Sequence, residues 1–200
     1  MLFYLAPMEG ITGYIVRNAY AHYFPYIDKY FTPFIPAAKK MSKKIKRDLA
    51  AENNGQIRLV PQLIGNRADE FLMMIRQLEE LGFTSVNLNF GCPSGTVVSK
   101  RKGAGFLADP KELEMLLEEV VENSPLAVSV KTRVGIKDPD EWEALCGVYA
   151  KFPLEELIIH PRQQKDYYSG TPRMETFARA LEQIHVPLCY NGDICSVEDY

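Results

Sequence analysis

The sequence predicts an α/β fold and, within that class, an incomplete parallel (β/α)8 TIM barrel with about seven βα units. Three observations lead there. Short β-branched or apolar runs alternate with longer stretches at helical spacing along all 200 residues. The apolar runs are near-continuous, as strands buried on both faces of a parallel sheet must be. Unusual polar and basic residues fall at the C-terminal ends of many different strands. A barrel gathers such ends around one mouth, whereas an open sheet concentrates them at one crevice.

In order, strands are expected at Phe3 to Ala6, Lys29 to Phe34, Leu59 to Ile64, Ser85 to Phe90, Leu126 to Thr132, Glu156 to His160 and Val186 to Tyr190. Helical stretches lie between them. The segment 67–81 puts Phe71, Ile75, Leu78 and Leu81 on one face, with Asn66 as cap and Gly82 as stop. Asp109-Pro110 and Asp138-Pro139 each read as an N-cap followed by proline at the first helical position, where the missing N–H costs nothing. Thr171-Pro172 opens a further helix, with Met174, Phe177, Leu181 and Ile184 as its buried face. There is no internal repeat, low-complexity tract or linker.

A barrel of this type usually takes about 250 residues, and Tyr200 follows the seventh strand closely. The expectation is one partial barrel domain over residues 1–200, without an eighth βα unit, and with unpaired edges on its first and seventh strands.

Composition narrows the function. The hydrophobic share of 46% and charged share of 24% exclude a disordered or fibrous chain. A net charge of −3 gives no global pull toward nucleic acid, so any such surface is a local patch. No apolar run approaches the ~20 residues of a membrane span, and no signal peptide is evident. Cys92, Cys146, Cys189 and Cys195 form no Cys-x-x-Cys pair, which fits a reducing, cytoplasmic setting without a disulfide framework or metal site.

The densest chemistry lies in Asn87-Leu88-Asn89-Phe90-Gly91-Cys92-Pro93. Asn87 and Asn89 share a face at period 2, and buried amides are expensive without partners. Either they bond neighbouring strands or they await a ligand. The following loop, residues 97–105, is basic and glycine-spaced, so it reads as a mobile flap able to close over an anion. Ser129-Val130-Lys131-Thr132-Arg133 is a buried-looking strand ending in two cations on one face. Three roles are open for Lys131: a Schiff-base nucleophile, a structural ion pair, or a fixed charge beside an anionic ring. His160-Pro161-Arg162 fits phosphate or cofactor binding, and the backbone of Asn191-Gly192-Asp193 can approach a phosphate.

These residues carry a resemblance. Leu5-Ala6-Pro7-Met8-Glu9-Gly10-Ile11-Thr12, Gln62-Leu63-Ile64-Gly65, Asn87-x-Asn89-x-Gly91-Cys92-Pro93, Lys131-x-Arg133, His160-Pro161-Arg162 and Asn191-Gly192-Asp193-Ile194 together resemble the tRNA-dihydrouridine synthase family. Single motifs are weak, but six in order from Leu5 to Ile194 are specific. The resemblance implies an FMN-dependent TIM barrel followed by a small helical tRNA-binding domain. It implies reduction of the C5–C6 double bond of uridines in tRNA, with NADPH or NADH as electron donor. Hydride would pass from reduced FMN to C6, and a proton from Cys92 to C5. Pro7 and Met8 would line the flavin, Gln62 would bond its pyrimidine edge, and Lys131 would sit near the negative end of the reduced ring. His160 would contact the flavin, Asn191, Gly192 and Asp193 would seat its phosphate, and Asn89 would help hold the uracil. The residues after His160 depart from the Gly-Arg-Thr-Arg that many members carry.

A thiol with an ordinary pKa of ~8.5 is mostly protonated at neutral pH, which suits an acid role. RNA phosphates would meet the cluster Lys100, Arg101 and Lys102, and Arg133 and Arg162 are expected to help bind the substrate. A second basic run, Lys39 to Arg47, carries six cations and no acid. Two other classes fit: a different FMN or Schiff-base barrel enzyme acting on a small molecule, and a non-catalytic RNA-binding fragment. Because the barrel is read as incomplete, weak or no FMN occupancy is expected of the 200 residues alone.

Overall fold

Each expected apolar run forms strand in the computed structural model, which describes residues 1–55 and 57–196. The strands are β1 (Tyr4–Leu5), β2 (Lys29–Phe31), β3 (Ile35–Pro36), β4 (Leu59–Val60), β5 (Gln62–Ile64), β6 (Ser85–Phe90), β7 (Ala127–Arg133), β8 (Leu157–His160) and β9 (Leu188–Tyr190). Every pairing is parallel. One ladder runs β1-β2-β4 and the other β3-β5-β6-β7-β8-β9.

The third expected strand is therefore broken in two, and the second ends at Phe31 and resumes only at Ile35, past its expected end at Phe34. The third breaks at Pro61, which has no N–H to give, although its carbonyl still accepts from Asn87 N at 2.9 Å. The second breaks at Thr32, whose Oγ1 accepts from Gln62 N at 3.0 Å in place of a backbone partner. Each broken strand passes from one ladder to the other, so the wall keeps sequence order throughout. Among the described residues no pairing joins β1 to β9, and the wall is open there.

The helices are α1 (Tyr14–Tyr23), α2 (Lys43–Leu49), α3 (Ala68–Glu80), α4 (Gly95–Val98), α5 (Pro110–Asn123), α6 (Glu141–Tyr149) and α7 (Met174–Gln183). Asp109 caps α5 as expected, its Oδ1 accepting from Lys111 N at 3.0 Å and Glu112 N at 3.2 Å. Gly82 stops α3 with φ +87°, a conformation that favours glycine.

Four local expectations need correction. Asn66 does not cap α3: it lies two residues before the first helical residue and donates instead to Lys100 O at 3.1 Å. Leu81, past the end of α3, is exposed. Asp138 opens a turn rather than a helix, its Oδ1 accepting from Asp140 N at 3.0 Å, and α6 starts only at Glu141. The helix after Pro172 starts at Met174, and Met174 and Leu181 are exposed, so only Phe177, Ala180 and Ile184 of that helical region meet the core.

The loop after β6 also differs from the expected flap. Gly103, Ala104, Gly105, Phe106 and Leu107 are buried in a 3-10 turn (Gly103–Ala108). Gly103 has φ +53°, and a Cβ there would fall 2.8 Å from the Cys92 carbonyl oxygen. These glycines serve close backbone approach, not mobility.

The outer face of the wall packs Leu63, Val86, Leu88, Val130 and Leu157 against α3, α5 and α6. Inside, Tyr4, Phe31, Val60, Ile158 and Cys189 form a separate cluster that spans both edges of the wall. Beside it Lys29 and Glu156 form a buried ion pair at 3.1 Å, and the Tyr4 hydroxyl donates to Glu156 at 2.7 Å. Such a pair is tolerated because each charge is bonded.

Candidate active site

Residues paired across parallel strands share a face, so the register stacks the interior in levels. Gln62 pairs with Asn87, and Asn87 with Ser129. One level higher, Asn89 pairs with Lys131 and Lys131 with Ile158; at the top, Arg133 pairs with His160.

The lower level is a closed amide network. Gln62 Nε2 donates to Asn87 Oδ1 at 2.8 Å, and Asn87 Nδ2 donates to Ser129 Oγ at 3.0 Å. Asn89 Nδ2 donates to Gln62 Oε1 at 2.7 Å. Asn89 Oδ1 accepts from Gly91 N at 3.0 Å and Cys92 N at 2.9 Å, so this side chain shapes the Cys92 turn. The turn is held on three further sides. Arg133 Nε donates to Gly91 O at 2.9 Å, Ala104 N to Cys92 O at 3.0 Å, and Gln164 Nε2 to Pro93 O at 3.2 Å. Burial pushes the Cys92 thiol above its ordinary pKa, outweighing the Ser94 backbone hydrogen bond and the weaker pull of Arg133 and Lys131. The thiol therefore stays protonated at neutral pH.

Lys131 makes no hydrogen bond or ion pair among the described residues. Burial, and then the neighbouring Arg133 charge, push its pKa down to about 8. His160 is 6% exposed and neutral, its pKa pushed to about 3 by burial and then by Arg133, Lys131 and Arg162. The His160 Nε2 lies 3.2 Å from Arg162 Nη1.

Arg162 grips Asp193 with both terminal nitrogens, at 2.8 and 2.6 Å, and also bonds Gly170 O. This pairing joins two residues that the sequence reading placed on different ligands. Asn191 N donates to Ile159 O at 2.9 Å, which anchors the half-buried Asn191-Gly192 turn. Pro7 is half-buried and Met8 exposed, in the turn that follows β1.

The outer basic residues separate. Lys39, Lys40, Lys43, Lys44, Lys46 and Arg47 are all exposed on and before α2, which Ser42 caps through Ile45 N at 3.3 Å. Lys100 and Arg101 are exposed and Lys102 half-buried, but Arg101 is tied to Glu112 on α5 at 2.6 Å. Tyr168, in the Tyr167-Tyr168-Ser169-Gly170 run that follows the His160 motif and to which sequence reasoning assigned no role, is exposed, with the Arg133 guanidinium 5.5 Å from its ring centre and the His160 ring at 6.3 Å. Among the described residues no three His, Cys, Asp or Glu side chains could hold a metal ion. No helix among them is long and apolar enough to cross a membrane.

Fold and site define a class: a parallel β/α barrel whose polar and cationic groups converge on the C-terminal mouth of its strands. The family model for dihydrouridine synthase (Dus) matches residues 4–200. The chain is 30% identical over 207 residues to a tRNA-dihydrouridine(16) synthase of Pseudomonas putida, covering 98% of this chain and 63% of that protein. It is 28% identical to tRNA-dihydrouridine synthase B of Pasteurella multocida, covering 98% and 59%. A tRNA-dihydrouridine(20/20a) synthase of Vibrio parahaemolyticus is 32% identical over 169 residues, covering 77% and 51%. The chain belongs to the dihydrouridine synthase family. It spans less than two thirds of the length of these relatives.

Proposed function

We propose that this chain is the catalytic barrel of a tRNA-dihydrouridine synthase, an oxidoreductase that reduces the C5–C6 double bond of uridines in tRNA. The carrying observation is one mouth that holds a protonated thiol, Cys92, and an ammonium without a partner, Lys131. A half-buried cation with no partner among the described residues is costly, and an anionic ring laid beside it relieves that cost.

The residues fit FMN. Lys131 has charge to spare, and Arg162 Nε is buried without a partner. Each amide of the Gln62 and Asn89 pair has a second N–H beyond those used in the network. Pro7, Met8, Gln62, Lys131 and His160 would hold the ring, with Asn191, Gly192 and Asp193 near its phosphate. FMN supplies the reducing electrons, recharged by NADPH or NADH. Cys92 holds the proton at Sγ and gives it to C5 of the uracil, and a high thiol pKa keeps that proton available. Asn89 orients the base while its own Oδ1 keeps the Cys92 turn in shape. A uridine must leave the tRNA stack to enter, at a cost of a few kcal/mol. The exposed cations of Lys39 to Arg47, with Lys100 and Lys102, hold the RNA backbone meanwhile. The setting is cytoplasmic.

Mass spectrometry of tRNA incubated with the protein, FMN and NADPH tests this reading. Cys92→Ala should keep flavin reduction by NADPH and lose most uridine reduction; an unchanged dihydrouridine yield removes Cys92 from the reaction. The lowered pKa of Lys131 favours a second reading, a Schiff-base lyase. Borohydride added with a carbonyl substrate traps such an enzyme and leaves a flavin reductase unlabelled.

A further inference from the structure

Arg17 is 0% exposed, belongs to no motif of the site, and donates five side-chain hydrogen bonds. It sits in α1, directly behind the turn that carries Pro7 and Met8. Its Nη1 donates to Thr12 O at 2.8 Å and to Asp48 Oδ2 at 3.1 Å. Its Nη2 donates to Asp48 O at 2.9 Å and to Asn54 Oδ1 at 2.7 Å, and Nε reaches the same Asn54 oxygen at 3.3 Å. Asn54 returns two bonds through Nδ2, to Asp48 O at 2.8 Å and Ala50 O at 2.9 Å. The other Asp48 oxygen accepts from Tyr14 N at 2.8 Å, at the start of α1.

This clasp has two ends. On one, Thr12 carries the constraint onward: its Oγ1 accepts from Met8 N at 2.8 Å and donates to Met8 O at 3.1 Å. On the other, Asp48 lies in the last turn of α2, next in sequence to the exposed cations Lys46 and Arg47. A surface helix needs no fully buried guanidinium to stay folded. A buried fork with an acid on one side and a mouth-turn carbonyl on the other fixes two segments against each other.

We infer that Arg17 is a positioning residue that acts through Thr12, setting the Met8 turn at the barrel mouth and locking it to the cation-bearing helix α2. The inference rests on the flavin reading above for what the turn touches, but its mechanical part stands on these bonds alone.

Two readouts test it on the full chain. The first is hydrogen exchange at the Met8 amide without any ligand. The second is FMN affinity by fluorescence titration. Arg17→Lys keeps the charge and loses the fork, and Thr12→Val keeps the shape and the Arg17 bonds while removing Oγ1. Both should speed Met8 exchange and weaken FMN by about tenfold, the cost of one buried bond left unmade. Thr12→Ser should restore both values, which separates positioning from general loosening of the fold. Wild-type Met8 exchange in Thr12→Val, or a Thr12→Ser protein as defective as Thr12→Val, overturns the inference. Wild-type FMN affinity in both Arg17→Lys and Thr12→Val also overturns it. A wild-type chain that binds no FMN bears on the flavin reading alone, and the exchange arm then decides for or against the clasp.

Discussion

Replacing Lys131 with methionine exchanges an ammonium that is unpaired among the described residues for an apolar side chain of similar length in the wall of the mouth. The drop of its pKa from the ordinary 10.5 to about 8 measures how much the folded protein disfavours the charged form. Taken at face value it amounts to about 3 kcal/mol, and partial access of water brings the realistic figure to about 1–3 kcal/mol. The sign follows from proton binding. The folded state holds this proton less tightly than the unfolded state, so the wild-type chain carries the full penalty below pH 8 and sheds it as pH rises toward 10.5. Urea unfolding of ligand-free protein should therefore find Lys131→Met more stable at pH 7, with the difference shrinking between pH 8 and 10.5. Equal or lower stability of the variant at pH 7, or a difference that ignores pH, refutes the argument that Lys131 is held unpaired for a ligand.

His160 predicts the opposite limb of the same profile: its folded pKa of about 3 lies well below the ordinary 6.5, so its contribution is complete above pH 6.5 and lost as pH falls toward 3. About 2 kcal/mol should be gone by pH 5, and His160→Gln should flatten that part of the urea-midpoint curve. Gly103→Ala should cost about 1–3 kcal/mol in chemical denaturation, because its φ of +53° and the 2.8 Å approach to the Cys92 carbonyl leave no room for a methyl group.

Much of the architecture was legible because parallel strands buried on both faces must be apolar runs, and seven such runs are simple to see. The breaks at Thr32 and Pro61 were not, since they depend on how the wall bends between its two ladders. Caps were read correctly where the acid stands next to the first helical proline, at Asp109. They were misread at Asn66 and Asp138, whose short side chains found nearer or tertiary partners. At the site, motif spacing singled out Asn89, Cys92, Lys131 and His160, and the structure sets them in or just past the C-terminal halves of β6, β7 and β8. It gave no hint that Asn89 would spend its oxygen on the backbone of the Cys92 turn, or that Arg162 and Asp193 would meet. Arg17 was invisible for the same reason: its partners at Asp48 and Asn54 lie 31 and 37 residues away.

Fluorescence titration of the wild-type chain and Lys131→Met with FMN bears most directly on the mouth as a flavin seat. Saturable binding by the wild type, weak because the wall stays open between β1 and β9, and weaker still by about tenfold or more in the variant, is the expected result. Equal affinity in the two proteins contradicts it.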